Sequence, residues 1–169
     1  MTTELVRPIP LSKIGPAGFT ILVRATPEEC AAVALRMDIP AIQSLDCFFN
    51  LIAEDDGVTI FAQGRLRAAV TRVCVVSAED FETAVEDEFE INFVPAGSER
   101  DDPDPDLIDE IPYSSDTIDL GEATVEQLGL ALDPYPRMDG ATLPDNASDV
   151  DDSPFSALAR RAGPGTTRQ

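Results

Sequence analysis

Histidine is absent from this sequence, and so is tryptophan. Histidine is the usual general base near neutral pH and the commonest zinc ligand. Without it, Ser-His-Asp and Cys-His nucleophilic arrangements are excluded, and most catalytic zinc sites with them. Cysteine is scarce: the three stand at 30, 47 and 74, and none forms a CxxC pair. An odd count at wide spacing does not read as a disulfide framework and suits a reducing compartment. No apolar run approaches the roughly 20 residues of a membrane span. The opening stretch MTTELVRPIPLSKIG has no apolar core of the signal-peptide kind. The expectation is a soluble, cytoplasmic chain without a membrane partner. Phosphate loops are missing too: Gly15-Pro-Ala-Gly18 lacks the Walker lysine, and nothing resembles GxGxxG. Asp101-Asp102 and Asp151-Asp152 lack the staggered ligands and fixed glycine of a calcium loop, so solvated charge is the simpler reading. These exclusions predict no catalytic set, no metal, no cofactor and no small-molecule substrate.

Basic residues are few as well. Lys and Arg number 12 against 32 Asp and Glu, for a net charge of −20 over 169 residues. The imbalance is concentrated between residues 81 and 152, with 22 acidic and 2 basic residues; residues 1–80 carry 10 and 7. Phosphate binding needs a cationic surface, so the whole molecule is not drawn to nucleic acid, although a local patch could be. An acidic tract favours a basic protein partner, or serves only to keep the chain in solution.

What is present is a core-forming pattern, with a hydrophobic fraction of 43%. One domain is expected over 1–160, with an acidic, mobile loop at about 96–115 and a flexible tail at 161–169. Leu5 to Pro10 suits a short edge strand, because Pro8 and Pro10 forbid a central one. Gly18–Arg24 reads as a strand. Thr26-Pro27-Glu28-Glu29 is a capping box with proline at the first helical position, opening a helix over about 27–37. Its apolar face is Cys30, Val33, Ala34 and Met37. Three long strands follow: Ile42–Ala53, with Leu45, Cys47, Phe49 and Leu51 on one face; Val58–Val76, bent or broken at Gly64; and Phe81–Val94. Asp56-Gly57 is a hairpin signal. These strands predict an antiparallel meander.

Ser98 to Asp106 is rich in proline and acid and reads as a mobile segment. A helix over about 121–132 follows, with Val125, Leu128 and Leu132 in one stripe beside Leu120 and Ala131, and Asp133-Pro-Tyr-Pro136 stops it. Residues 138–152 look loose, and a third short helix starts at Ser153-Pro154. The fold class is therefore α+β: a twisted antiparallel sheet or partly closed barrel packed against two to three helices.

The basic residues with a pattern are Arg65 and Arg67. Alternation puts them on one strand face, with Leu66, Ala68 and Val70 on the other. Arg72 shares the parity of the apolar set. A same-face arginine pair either keeps a sheet face soluble or contacts an anion such as RNA.

Three segments together resemble a known family: Gly64 to Ser77, with Arg65, Arg67 and Cys74; Asp116 to Arg137, an acidic strand followed by a Glu126-Gln127-Leu128 helix and a Pro-x-Pro stop; and Ser153 to Leu158. In this order they are similar to the bacterial YceD family, the large ribosomal RNA accumulation proteins, and most to its alphaproteobacterial branch. The resemblance covers about residues 5–160. It implies a non-enzymatic role in synthesis, processing or stability of large-subunit ribosomal RNA, with a ribosomal RNA precursor or a basic ribosomal protein as partner. An acidic adaptor or chaperone for a basic protein, without RNA contact, is the alternative. A metal-using nuclease would need clustered carboxylates. Cys74 falls where the family has a cysteine after a strand. Many relatives carry further cysteines beyond the Pro-x-Pro stop, which suggests metal binding there. Here 137–143 contains none, so a zinc site is not carried over and Cys74 reads as strand packing. The working surface expected from these residues combines Arg65 and Arg67 with Tyr135 and Arg137, the tyrosine stacking on RNA, anchoring a protein, or only pinning the chain to the sheet.

Overall fold

The computed structural model describes residues 4–101 and 107–142. The expected helix at Ser153, the tail at 161–169 and most of the 138–152 stretch lie outside the described residues.

Local chemistry sets the elements. Thr26 caps α1 (Pro27–Arg36): its hydroxyl accepts from the Glu29 N–H at 3.3 Å, and the Glu29 carboxylate accepts from the Thr26 N–H at 2.8 Å. The Arg7 guanidinium donates to both oxygens of that carboxylate, at 2.8 Å each. Arg7 holds the Glu29 carboxyl below the usual range, and the Thr26 amide adds to the effect. Cys30, Val33 and Ala34 face the core as their spacing predicts.

Strand β2 (Phe19–Arg24) leads into α1, which is followed by β3 (Ala41–Ala53), β4 (Ile60–Val73) and β5 (Asp80–Pro95). Asp56 shapes the β3–β4 turn, accepting from the N–H groups of Val58 and Thr59 at 2.9 and 2.7 Å, and Gly57 takes φ +73° there. A left-handed backbone of this kind favours glycine.

β2, β3, β4 and β5 form the expected antiparallel meander. The sheet is nevertheless mixed. β6 (Asp109–Tyr113), inside the stretch expected as loop, adds to β5 in parallel, Ile91 opposite Asp109 through Pro95 opposite Tyr113. Proline and acid disguise β6 in the sequence. Pro112 is tolerated because β6 is an edge strand, and Ile111 and Tyr113 still pack on the core. The order β2-β3-β4-β5-β6 leaves β2 and β6 as unjoined edges, so the sheet is open and not a barrel.

β4 is not broken at Gly64. Its register with β3 and β5 runs through that residue without a shift, and the irregularity lies on β3 between Ile42 and Ser44. Gly64 makes room instead. The Phe89 ring lies where a side chain would be, with Cζ 2.0 Å from the position of an added Cβ. That ring meets Phe49 edge-on across the glycine, at a centroid separation of 5.8 Å.

A second, two-stranded sheet pairs β1 (Pro8–Pro10) with β7 (Thr117–Asp119). Asp119 then caps α2 (Leu120–Ala131), accepting from the Gly121 N–H at 2.9 Å and the Glu122 N–H at 3.3 Å. Leu120, Val125 and Leu128 are fully buried, and Ala131 and Leu132 partly so. Ala123 and Thr124 are buried as well, because α2 lies between the large sheet and β1 and is covered on more than one side. Arg36 joins α1 to α2 and the N-terminal segment through Glu122 at 2.7 Å and Glu4 at 3.2 Å. The core fills the space between one sheet face and the two helices, with Phe49, Leu51, Leu66, Ile91 and Phe93 from the sheet.

Candidate partner-binding surfaces

Strand alternation divides β4 sharply. Ala62, Gly64, Leu66, Ala68 and Val70 point into the core, and Gln63, Arg65 and Arg67 point to solvent. The registers then build rows across the solvent face. One row is Leu22, Phe48, Arg65, Glu88; the next is Arg24, Asp46, Arg67, Glu86; a third is Thr20, Asn50, Gln63, Glu90.

Each arginine on this face therefore stands beside a carboxylate. Arg65 Nε lies 2.7 Å from Glu88, Arg67 Nε 3.4 Å from Glu86, and Arg24 Nε 3.0 Å from Asp46. Gln63 donates to Glu90 at 3.0 Å. The Arg65 and Arg67 side chains are 60% and 67% exposed, so each pair contributes little to stability. Their consequence is electrostatic. The guanidinium groups of Arg24, Arg65 and Arg67 are outnumbered by the carboxylates of Asp46, Glu82, Glu86, Glu88 and Glu90, so the face attracts cations. A shallow concavity lies over Phe48, Asn50, Gln63 and Arg65, with Glu88 and Glu90 at its side. Phe48 and Leu22, neighbours in one row, are each about half exposed.

The Pro-x-Pro segment sits elsewhere. Arg72 has the parity of the buried residues and leaves the sheet on the helix side, where its guanidinium donates to the Asp133 carbonyl at 2.8 Å. The Val75 N–H donates to the Pro136 carbonyl at 2.9 Å. Asp133 accepts from the Tyr135 N–H at 2.8 Å and sets the turn. Pro136 is buried and pins the segment, whereas Tyr135 is 71% exposed and Arg137 is exposed beside it. Tyr135 thus does not anchor the chain. Arg65 and Arg67 lie on the opposite face of the sheet from the Arg72 contact, while Arg137 lines a concavity with Thr83–Glu86 at the β5 edge, Glu86 being the partner of Arg67.

Cys74 belongs to this second region. It is 1% exposed but stands outside the contiguous core. Its sulfur accepts from the Met138 N–H at 3.4 Å and the Ser77 N–H at 3.5 Å. These donors, Met138 first, bring the thiol down to about 7. Burial instead pushes Cys47 up to about 12 and raises Cys30. Among the described residues, no three His, Cys, Asp or Glu side chains converge in a way that could hold a metal. No helix among them is long and apolar enough to cross a membrane.

Sequence reasoning found the arginines and missed their partners. The hairpin signal gives only their β3 neighbours: counting outward symmetrically from Asp56 and Gly57 puts Phe48 opposite Arg65 and Asp46 opposite Arg67, whereas Glu88 and Glu86 lie on β5.

A family model described as "Large ribosomal RNA subunit accumulation protein YceD" matches residues 62–159, which include all but the first two residues of β4 and the whole of β5, β6, β7 and α2. No curated protein and no solved structure matches the chain.

Proposed function

The chain belongs to the YceD family of large ribosomal RNA subunit accumulation proteins, and from that premise we propose that it is a non-enzymatic factor in large ribosomal subunit biogenesis. It supports synthesis, processing or stability of large-subunit ribosomal RNA in the cytoplasm by binding a ribosomal precursor, without a cofactor. The precursor component it touches is a basic ribosomal protein. The observation that carries this choice is the pairing of Arg65 with Glu88 and Arg67 with Glu86 on a face where carboxylates outnumber guanidinium groups. A polyphosphate is repelled by such a face, and a lysine- or arginine-rich chain is attracted to it.

One observation favours direct RNA contact as a second reading. Tyr135 is 71% exposed beside the exposed Arg137, and an aromatic ring next to a guanidinium can stack a base and meet its phosphate.

Zero-length cross-linking in cells, followed by identification of the attached protein and RNA, separates the two. The expected result is a basic large-subunit protein joined to this chain, with large-subunit RNA lowered relative to small-subunit RNA when the chain is depleted. Cross-links to RNA that disappear in Tyr135→Ala with Arg137→Ala would install the second reading. Unchanged RNA levels on depletion would remove both.

A further inference from the structure

The 16 residues of β5 are paired with β4 along almost their whole length, yet β6 covers only Ile91–Pro95. From Asp80 to Glu90 the other edge of β5 meets no strand among the described residues. Along such an edge about half of the backbone N–H and C=O groups point outward without a strand partner, which is a template for strand addition. Two structural blocks are missing: residues 80–90 contain no proline, and the register with β4 shows no bulge; the 131–137 segment lies beside Phe81–Glu86 without pairing to the strand. What the edge carries is acid. Glu82, Ala84, Glu86, Glu88 and Glu90 project on the solvent face, while Phe81, Thr83, Val85, Asp87 and Phe89 alternate with them, half-buried, on the helix side. Glu86 and Glu88 face Arg67 and Arg65 on β4, but Glu82 faces Thr71 and Glu90 faces Gln63, so neither has a cation partner among the described residues. Acid along an edge guards against self-association, because a second acidic strand is repelled. It does not guard against a basic one.

We propose that the β5 edge from Asp80 to Glu90 accepts an extended, basic segment of a partner protein by antiparallel or parallel strand addition. The segment alternates lysine or arginine, set against Glu82, Glu86, Glu88 and Glu90, with apolar residues, set against Phe81, Val85 and Phe89. This deepens the reading of a basic ribosomal protein as partner and rests on it. Eleven residues of strand give an interface roughly 35 Å long, and the alternating pattern supplies selectivity that net charge alone does not.

The test is NMR-detected amide exchange on the full chain with two 12-residue probes of equal composition, one alternating Lys and Val and one with the Lys residues grouped. In the free chain, the edge-facing amides of 80–90 are expected to exchange fast while those facing β4 stay protected. The alternating probe should slow the edge-facing set at least tenfold, and the grouped probe should not. Glu82→Gln with Glu90→Gln should weaken binding about tenfold. Glu54→Gln with Asp55→Asn, an equal charge loss at the β3–β4 turn, should change it less than twofold. Protected edge amides in the free chain would overturn the proposal, because the chain would then cover its own edge. Probe binding without edge protection, or equal effects of the two double variants, would also overturn it and leave the basic partner standing. If neither probe bound and a single-stranded oligouridine did, the edge and the basic-protein reading would fall together.

Discussion

Gly64→Ala should destabilise the protein, and the same substitution should stabilise it once Phe89 is Ala. The new methyl carbon would stand 2.0 Å from Phe89 Cζ and 2.4 and 2.6 Å from its two Cε atoms. Carbon atoms need about 3.5 Å, so the ring tip must retreat by roughly 1.5 Å. That movement breaks the edge-on contact with Phe49, worth about 0.5–1.5 kcal/mol, and forces a strained rotamer at about 0.5–1.5 kcal/mol more. Replacing a strand glycine by alanine returns about 0.5–1 kcal/mol of chain entropy. With some lost ring burial, the net cost is about 1–3 kcal/mol, the range of overpacked cores. In Phe89→Ala the obstacle is gone and only the entropic gain remains, so Gly64→Ala should stabilise by about 0.5–1 kcal/mol. Urea unfolding of the four proteins, compared at constant m, gives the coupling directly. Additivity within about 0.5 kcal/mol would mean that Phe89 does not occupy the space over Gly64.

Leu128→Ala should cost roughly 2–5 kcal/mol by the same measurement, since Leu128 is fully buried under α2; a loss near zero would put the helix off the sheet. Glu29 is held below the ordinary carboxyl range chiefly by Arg7, so its stabilisation is complete above the unfolded value of about 4.3 and is lost as pH falls through the lower, folded value. The acid limb of a stability–pH profile should therefore flatten in Glu29→Gln, and an unchanged limb would refute the link. A maleimide at pH 7.5 should modify Cys74 before Cys30 or Cys47, read by peptide mass analysis, because two amide donors favour its thiolate and it stands outside the contiguous core that holds the other two. Labelling of Cys47 first would contradict this. Arg65→Ala with Arg67→Ala should change stability by less than about 1 kcal/mol in calorimetry, because both pairs are well exposed.

Much of the fold was legible because its signals are local. The capping box at Thr26, the hairpin at Asp56-Gly57 and the Val125–Leu128 spacing each depend on residues within one or two turns, and each appears where the sequence puts it. What was not legible depends on distant residues. β6 reads as loop because Asp109, Glu110 and Pro112 obscure its alternation, and only pairing with Ile91–Pro95 makes it a strand. Gly64 reads as a breaker because nothing nearby announces Phe89, 25 positions on. The surface shows the same division. Alternation alone turns Arg65 and Arg67 outward, but their neutralisation by Glu88 and Glu86 requires the β4–β5 register. Tyr135 stood out in sequence, yet Pro136, the less conspicuous residue, is the one that is buried.

The pairing of Pro8–Pro10 with Thr117–Asp119 has a consequence for how the chain is made. β1 leaves the ribosome about 110 residues before its partner, which at 5–20 residues per second is a wait of roughly 5–20 s. The β2–β5 meander, whose partners are consecutive in the chain, can assemble in that interval. The small sheet and the docking of α2 behind Asp119 then come after it, as the clasp that fastens a sheet already formed. A ribosome stalled before residue 120 would hold the meander with that clasp open, and the helix-side face of β4 and β5 would stay wet until synthesis resumed.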